Sequence, residues 1–304
     1  MTREVVVTGA SIEATLELWA SSLREVKARM RPLFSQARVA ASANSFLDGL
    51  LGDERRKTGW MRAEAAGDAG PWRQQAILGR GRWDADALRD IVRDYAVEHL
   101  GTDDAVLVID ETGFLKQGKA SCGVGRQYTG SAGKVTNCQI GVFAAYVSTR
   151  GHAFVDRALY LPKSWTADPA RLAAAHVPEG TAFATKPALA VQMIERAIAA
   201  DMPFAWVAAD AVYGAGDDLA FFTTWCPAGT TIETLVGVEG HRWDIEDSFE
   251  TAKNELGLDH NETRSWHGWH RHVSLVMLAF AMLAAIRTRA NATPPKRPWT
   301  IPRT

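Results

Sequence analysis

The chain has 304 residues, 47% of them apolar and 23% charged, with a net charge of −1. These proportions exclude a disordered tail and allow one large folded domain or two ordinary ones. A balanced charge neither requires nor excludes a nucleic acid, which is met by local basic surface rather than by an overall excess.

Local basic clusters exist at Arg24, Lys27, Arg29, Arg31 and Arg38, and again at Arg55, Arg56, Lys57 and Arg62. Cys122, Cys138 and Cys226 form no C-x-x-C pair, which argues against a disulfide framework or a zinc knuckle and fits a reducing cytoplasm. The N-terminus lacks the long apolar core of a signal peptide. The most apolar run, residues 273–286, is too short to span a bilayer and reads as a buried helix, so no membrane partner is expected.

The first hundred residues read as helices. Leu16, Leu18, Trp19, Leu23 and Val26 recur at helical spacing, followed by helices predicted at 39–51, 54–66, 71–78 and 86–100. The pair 58–66 and 72–78 could form a helix-turn-helix that sets Arg73, Gln74 and Gln75 against a DNA groove; an ordinary helical hairpin fits the same pattern. The pattern changes at Asp104. Residues 105–110 form a continuous apolar run ending in Asp110, as expected of a buried strand. A Gly-rich stretch covers 113–133, then strands are predicted at 137–148 and 153–161 around a turn at 149–152. An amphipathic helix follows at 186–200 and a second apolar strand at 204–210, ending in Asp210. A short strand at 219–225, helices at 231–238, 241–256 and 266–289, and a Pro-rich tail at 291–304 complete the chain. This order gives an α/β sheet flanked by helices.

Two aspartates that end neighbouring buried strands repel each other unless a cation lies between them, and Mg²⁺ suits oxygen ligands and phosphate chemistry. An aspartate that merely opens a turn is the alternative for each. Arg242, Glu246, Phe249 and Lys253 fall at i, i+4, i+7 and i+11, one narrow helical stripe. That stripe fits a surface salt-bridge ladder as well as a face turned to a metal and a phosphodiester.

The stretches Val-Leu-Val-Ile-Asp110-Glu-Thr-Gly, Gly123-Val-Gly-Arg-Gln-Tyr-Thr-Gly-Ser-Ala-Gly133, Ala209-Asp210-Ala-Val-Tyr-Gly214 and Arg242-Trp-Asp-Ile-Glu246-Asp-Ser-Phe-Glu-Thr-Ala-Lys253 together resemble bacterial insertion-sequence transposases. The branch is the seven-hundred-one group of the IS-four-like superfamily. The resemblance implies a ribonuclease-H-like catalytic domain at 102–290, a mixed sheet flanked by helices, preceded by a helical DNA-binding domain at 1–101. It implies a DDE triad of Asp110, Asp210 and Glu246 that binds two Mg²⁺ (or Mn²⁺), with Arg242 and Lys253 on phosphates. Glu250 is a fallback acid one turn beyond Glu246. The implied reaction is DNA cleavage and strand transfer at element ends, on double-stranded end and target DNA, by a cytoplasmic homo-oligomer.

The sequence departs from that pattern in two places. The signature tyrosine position holds Glu239, and Asp210 and Glu246 are separated by 35 residues where relatives carry a β-rich insertion, with 215–222 as the joint. The chain also stops early by that pattern. The alternative is therefore a catalytically defective, internally deleted remnant that at most binds DNA. A zinc site at His260, His267, His270 and His272 is disfavoured, because the stretch lacks H-E-x-x-H.

Overall fold

The computed structural model of the protein describes residues 12–210, 223–225 and 228–292. Helices come first: α1 (Ile12–Met30), α2 (Ala37–Leu51), α3 (Gly59–Ala65), α4 (Trp72–Gly79) and α5 (Ala85–Leu100). Two of them, α3 and α5, start on side-chain caps. Thr58 accepts from the Met61 amide to open α3, and Asp84 accepts from the Asp86 amide to open α5. The helix predicted from 54 therefore begins only at Gly59.

Strands β1 (Val106–Leu115), β2 (Gly125–Thr129), β3 (Lys134–Ser148) and β4 (Gly151–Leu159) follow, then short helices α6 (Lys163–Thr166) and α7 (Pro169–Ala174) and the longer α8 (Lys186–Ala199). After β5 (Trp206–Ala209) and β6 (Thr223–Trp225) come α9 (Ile232–Gly240), α10 (Trp243–Asn254) and α11 (Trp266–Ala292).

The strands form one mixed sheet ordered β2-β3-β1-β5-β6, with β4 also paired to β3. β1 runs antiparallel to β3 over Val106↔Val147 to Leu115↔Cys138, and parallel to β5 over Val106↔Trp206 to Ile109↔Ala209. Side chains alternate across a sheet, and the partners of β1 show which helices cover which face. Glu111 meets Lys186 at the start of α8, whereas Thr112 meets Lys253 of α10 and Phe114 meets Trp269 of α11. Helix α8 thus covers one face, and α10 and α11 cover the other.

Helix α11 organises the core. Val273, Val276, Met277 and Met282 are fully buried, and Phe280 stacks on Phe154 of β4 at 5.2 Å. The buried guanidinium of Arg157 in β4 is paired with Asp86 at 2.8 Å and donates to Ser274 Oγ at 2.9 Å, tying α5 and α11 to the sheet. Among the described residues, helices α1, α2 and α5 share one core with the sheet and α11. Val26, Phe46, Leu88 and Tyr95 belong to the same buried cluster as Val276 and Phe143. By length and composition Trp266–Asn291 could cross a membrane, but 72% of that apolar window is buried within the protein, which makes it a core helix.

Candidate active site

Strand β1 does not end at its aspartate. It continues five residues beyond Asp110, paired with β3 to Cys138, so Asp110 sits within the strand and only Asp210 lies at a strand end, directly after β5. The register places the two acids. Ile109 pairs with Ala209 in the parallel β1–β5 ladder. Asp110 and Asp210 therefore follow at the same level on neighbouring strands, on the face covered by α10.

Asp110 is half-buried, and its Oδ1 accepts the Glu111 amide at 2.7 Å. Its carboxyl is pushed from 3.8 up to about 7, chiefly by burial and then by the negative charges of Glu111, Asp210 and Glu246, against which the amide bond works. Asp210 and Glu246 are thus close enough to act on Asp110. They are not closed to ligand distance. Among the described residues, the one acid–histidine group whose ligand atoms all lie within 4.8 Å of each other is Glu25, Glu98 and His99. Arg29 already bridges that group, at 2.7 Å to Glu25 and 2.6 Å to Glu98.

Glu246 is carried by α10, whose buried face is set by Phe249 against Phe143 (5.3 Å) and Phe154 (5.2 Å). Ser248, the residue before Phe249, bonds His152 Nδ1 of β4 at 2.7 Å. Glu246 is consequently half-exposed, with a side-chain exposure of 44%, and paired to Arg242 at 3.4 Å. The helix predicted over 241–256 is divided here: α9 ends at Gly240, and Arg242 is the residue before α10 rather than part of its interior. The i, i+4 relation to Glu246 survives. Arg242 is buried over the Trp243 ring at 5.2 Å.

Lys253 donates to Thr112 Oγ1 at 2.6 Å and to Ser131 Oγ at 2.9 Å, and burial lowers its pKa. It stands beside β1 two residues from Asp110, on the same face. The stripe is therefore not a surface ladder: Phe249 is core, and Lys253 is bound to the sheet. Glu250 lines a separate cavity with His152, Phe280 and Arg287 and is not among the charges acting on Asp110. The sequence reading missed Thr112, Ser131, and the Lys186–Glu111 pair on the opposite face. Nothing in periodicity marks a hydroxyl that receives a lysine from 141 residues away.

The predicted groove-reading residues separate. Gln74 is fully buried, and its amide donates to Ser45 Oγ at 3.1 Å and Asp68 Oδ2 at 3.4 Å, so it cannot face DNA. The reason is helical phase: Gln74, Ile77 and Leu78 form the buried side of α4. Arg73 is exposed, although paired to Asp68 at 3.0 Å, and Gln75 is exposed on a different side. Arg73 instead lines a groove of about 800 Å³ with Arg38, Arg80, Arg82 and an exposed Trp72, and no acidic residue lines it. That basic groove is not evident from the sequence, because Arg38 of α2 joins Arg73, Arg80 and Arg82 across two separate segments.

The histidines are committed to backbone contacts. His272 bonds the Gly257 carbonyl at 3.0 Å, His270 the Trp266 carbonyl at 2.9 Å and His267 the Gly79 carbonyl at 2.9 Å, while His260 Nδ1 accepts the Lys57 amide at 3.0 Å. The proposed insertion joint at 215–222 lies outside the described residues.

Compared with known proteins, residues 29–227 match the family described as DDE superfamily endonuclease, about two thirds of the chain. The matched stretch includes Asp110 and Asp210 and ends before α10. The chain is also 30% identical over 188 residues to a probable transposase for insertion sequence element IS701 from Microchaete diplosiphon. That alignment covers 60% of this chain and 46% of the relative, so the chain spans about half the length of the curated protein it matches.

Proposed function

The chain belongs to the DDE superfamily endonuclease family, and we propose that it acts as a transposase of insertion-sequence type, cutting DNA phosphodiesters at element ends and joining them to target DNA. The single observation that carries this reading is the pairing of Ile109 with Ala209 on adjacent parallel strands, after which Asp110 and Asp210 follow, with the charges of Asp210 and Glu246 acting on Asp110. On this reading the sheet is a ribonuclease-H-like core and the three acids are its metal ligands.

The residues fit a divalent cation. Asp110 retains its proton to about pH 7 because burial and three negative neighbours disfavour its charge, and a cation relieves both. An all-oxygen set suits Mg²⁺ or Mn²⁺, as two ions held by Asp110, Asp210 and Glu246. Bound ions would supply activation of a water or 3′-hydroxyl and stabilisation of the leaving oxygen. The chain's own residues do the rest. Arg242 orients Glu246 at 3.4 Å. Lys253, fixed by Thr112 and Ser131, offers a cation for a substrate phosphate beside Asp110. The Arg38–Arg73–Arg80–Arg82 groove binds duplex backbone without reading sequence.

The separation of Asp210 and Glu246 by 35 residues favours a second reading, a protein that binds DNA without cutting it. A nicking assay on element-end DNA with Mg²⁺ or Mn²⁺ separates the two. The first reading expects metal-dependent nicks that Asp110→Asn, Asp210→Asn and Glu246→Gln each abolish while DNA binding persists. Retained gel shift with no nicking by the wild type would establish the second.

A further inference from the structure

Away from the acidic centre, a cavity of about 430 Å³ opens between the α3–α4 hairpin and the loop that leads into α11. Arg62, Gln75, His176, Asn261, Arg264 and His272 line it. None of the proposed metal ligands does.

Two of its walls carry donors that the protein does not use. Arg62 is 3% exposed. It donates from Nη1 to the Lys57 carbonyl and lies over the Phe46 ring at 4.0 Å, but Nε has no acceptor and no carboxylate of the described residues forms an ion pair with it. The acid acting on it, Glu262, also lines the cavity but is exposed and forms no ion pair with it among the described residues. Asn261 is also 3% exposed. Its Oδ1 accepts from the Thr263 amide at 3.0 Å and from Thr263 Oγ1 at 2.8 Å. A backbone amide can only donate, so the orientation of the Asn261 side chain is fixed and Nδ2 presents N–H donors. Among the described residues, Nδ2 has no acceptor. His272, 1% exposed, must donate from Nε2 to the Gly257 carbonyl, which leaves its unpartnered Nδ1 as an acceptor.

A buried guanidinium without a counter-ion and a buried amide without an acceptor both cost free energy. Water can occupy such donors, but it does not neutralise the charge. A small oxyanion does both, and a phosphate that carries a proton would also use His272 Nδ1. We propose that this cavity binds a phosphate-class oxyanion, with Arg62 and Asn261 as its principal donors. The anion is either free phosphate or a backbone phosphate of DNA lying across the α3–α4 hairpin. The site is independent of the cleavage reading, because it uses neither the triad nor a metal.

The informative variant is Asn261→Asp. It keeps the acceptor that Thr263 needs, keeps Arg62 packed on Phe46, and replaces the donor group with a carboxylate oxygen that repels an anion. Thermal unfolding of the full chain is measured in potassium phosphate and in potassium chloride at matched ionic strength. The wild type should gain about 2 °C at a phosphate concentration tenfold above its dissociation constant. Asn261→Asp should unfold in chloride at or above the wild-type temperature and gain nothing specific from phosphate. An equal phosphate gain in both proteins, or none in the wild type, would overturn the proposal. Where the gain is lost in the variant, duplex binding identifies the occupant: weaker binding by Asn261→Asp assigns a DNA backbone phosphate, and unchanged binding assigns the free ion.

Discussion

The sheet face under α10 and the groove beside α4 are opposites in charge and in construction. The first gathers carboxylates, two of them half-buried, on elements fixed by strand register and aromatic packing. The second gathers exposed arginines from two segments around Trp72, and the register of no single element fixes them. The difference teaches where precision is needed. Chemistry at a phosphodiester demands acids held within a narrow geometry, and backbone binding demands only positive charge at roughly the right spacing.

The largest expected effect is at the acidic centre. Asp110→Asn keeps the shape of the site and removes its charge, and nicking should fall by about 10³-fold or more, as when a principal electrostatic element of an active site is lost. Duplex affinity should stay within a factor of two or three. A loss of binding equal to the loss of cleavage would collapse the distinction between the two regions.

Next is Phe249→Ala. Phe249 packs on Phe143 and Phe154, so its truncation should destabilise the protein by about 3–5 kcal/mol in denaturant unfolding. If α10 is placed by this contact, cleavage should fall further than the folded fraction does. A smaller effect is expected at the groove. Arg80→Ala with Arg82→Ala should weaken duplex binding about tenfold and reduce the slope of log affinity against log salt by about 2, with cleavage recovered at saturating DNA. An unchanged slope would remove the groove from the DNA-binding surface. The smallest is Gln74→Ala, which should cost about 1–2 kcal/mol of stability and leave duplex affinity unaltered, because its amide is spent on Ser45 and Asp68.

The acidic region was far more legible in the sequence than the basic one. Residues 105–110 and 204–210 announce two buried strands, and their adjacency is given by the β1–β5 ladder. Asp110 was misjudged only in being taken as a strand end. The Glu-Thr-Gly that follows breaks the apolar run, but the strand continues because β3 offers partners as far as Cys138. Strand β2, Gly-Arg-Gln-Tyr-Thr, was invisible because its pattern is polar and it is held by pairing alone. Glu246 and Lys253 were legible as a stripe, but their partners, Arg242 outside the helix and Thr112 across the sheet, were not. At α4 the motif pointed to three consecutive residues, and consecutive residues on a helix cannot share a face. Burial claimed Gln74 and left Arg73, joined by Arg38, Arg80 and Arg82, to line the groove.

Protonation gives the central claim its sharpest handle. The Asp110 pKa is raised, so its contribution to the stability of the metal-free protein is full below about pH 4, is lost as pH rises to about 7 and stays lost above. A cation that binds the three acids must displace that proton. Calorimetric titration of Mn²⁺ into the wild type and Asp110→Asn, at pH 6 and pH 8 in buffers of different ionisation enthalpy, measures this directly. The account predicts tighter binding at pH 8, by up to about tenfold, proton release at pH 6 by the wild type alone, and loss of the site in the variant. Equal affinity at both pH values, or wild-type binding by Asp110→Asn, would contradict it.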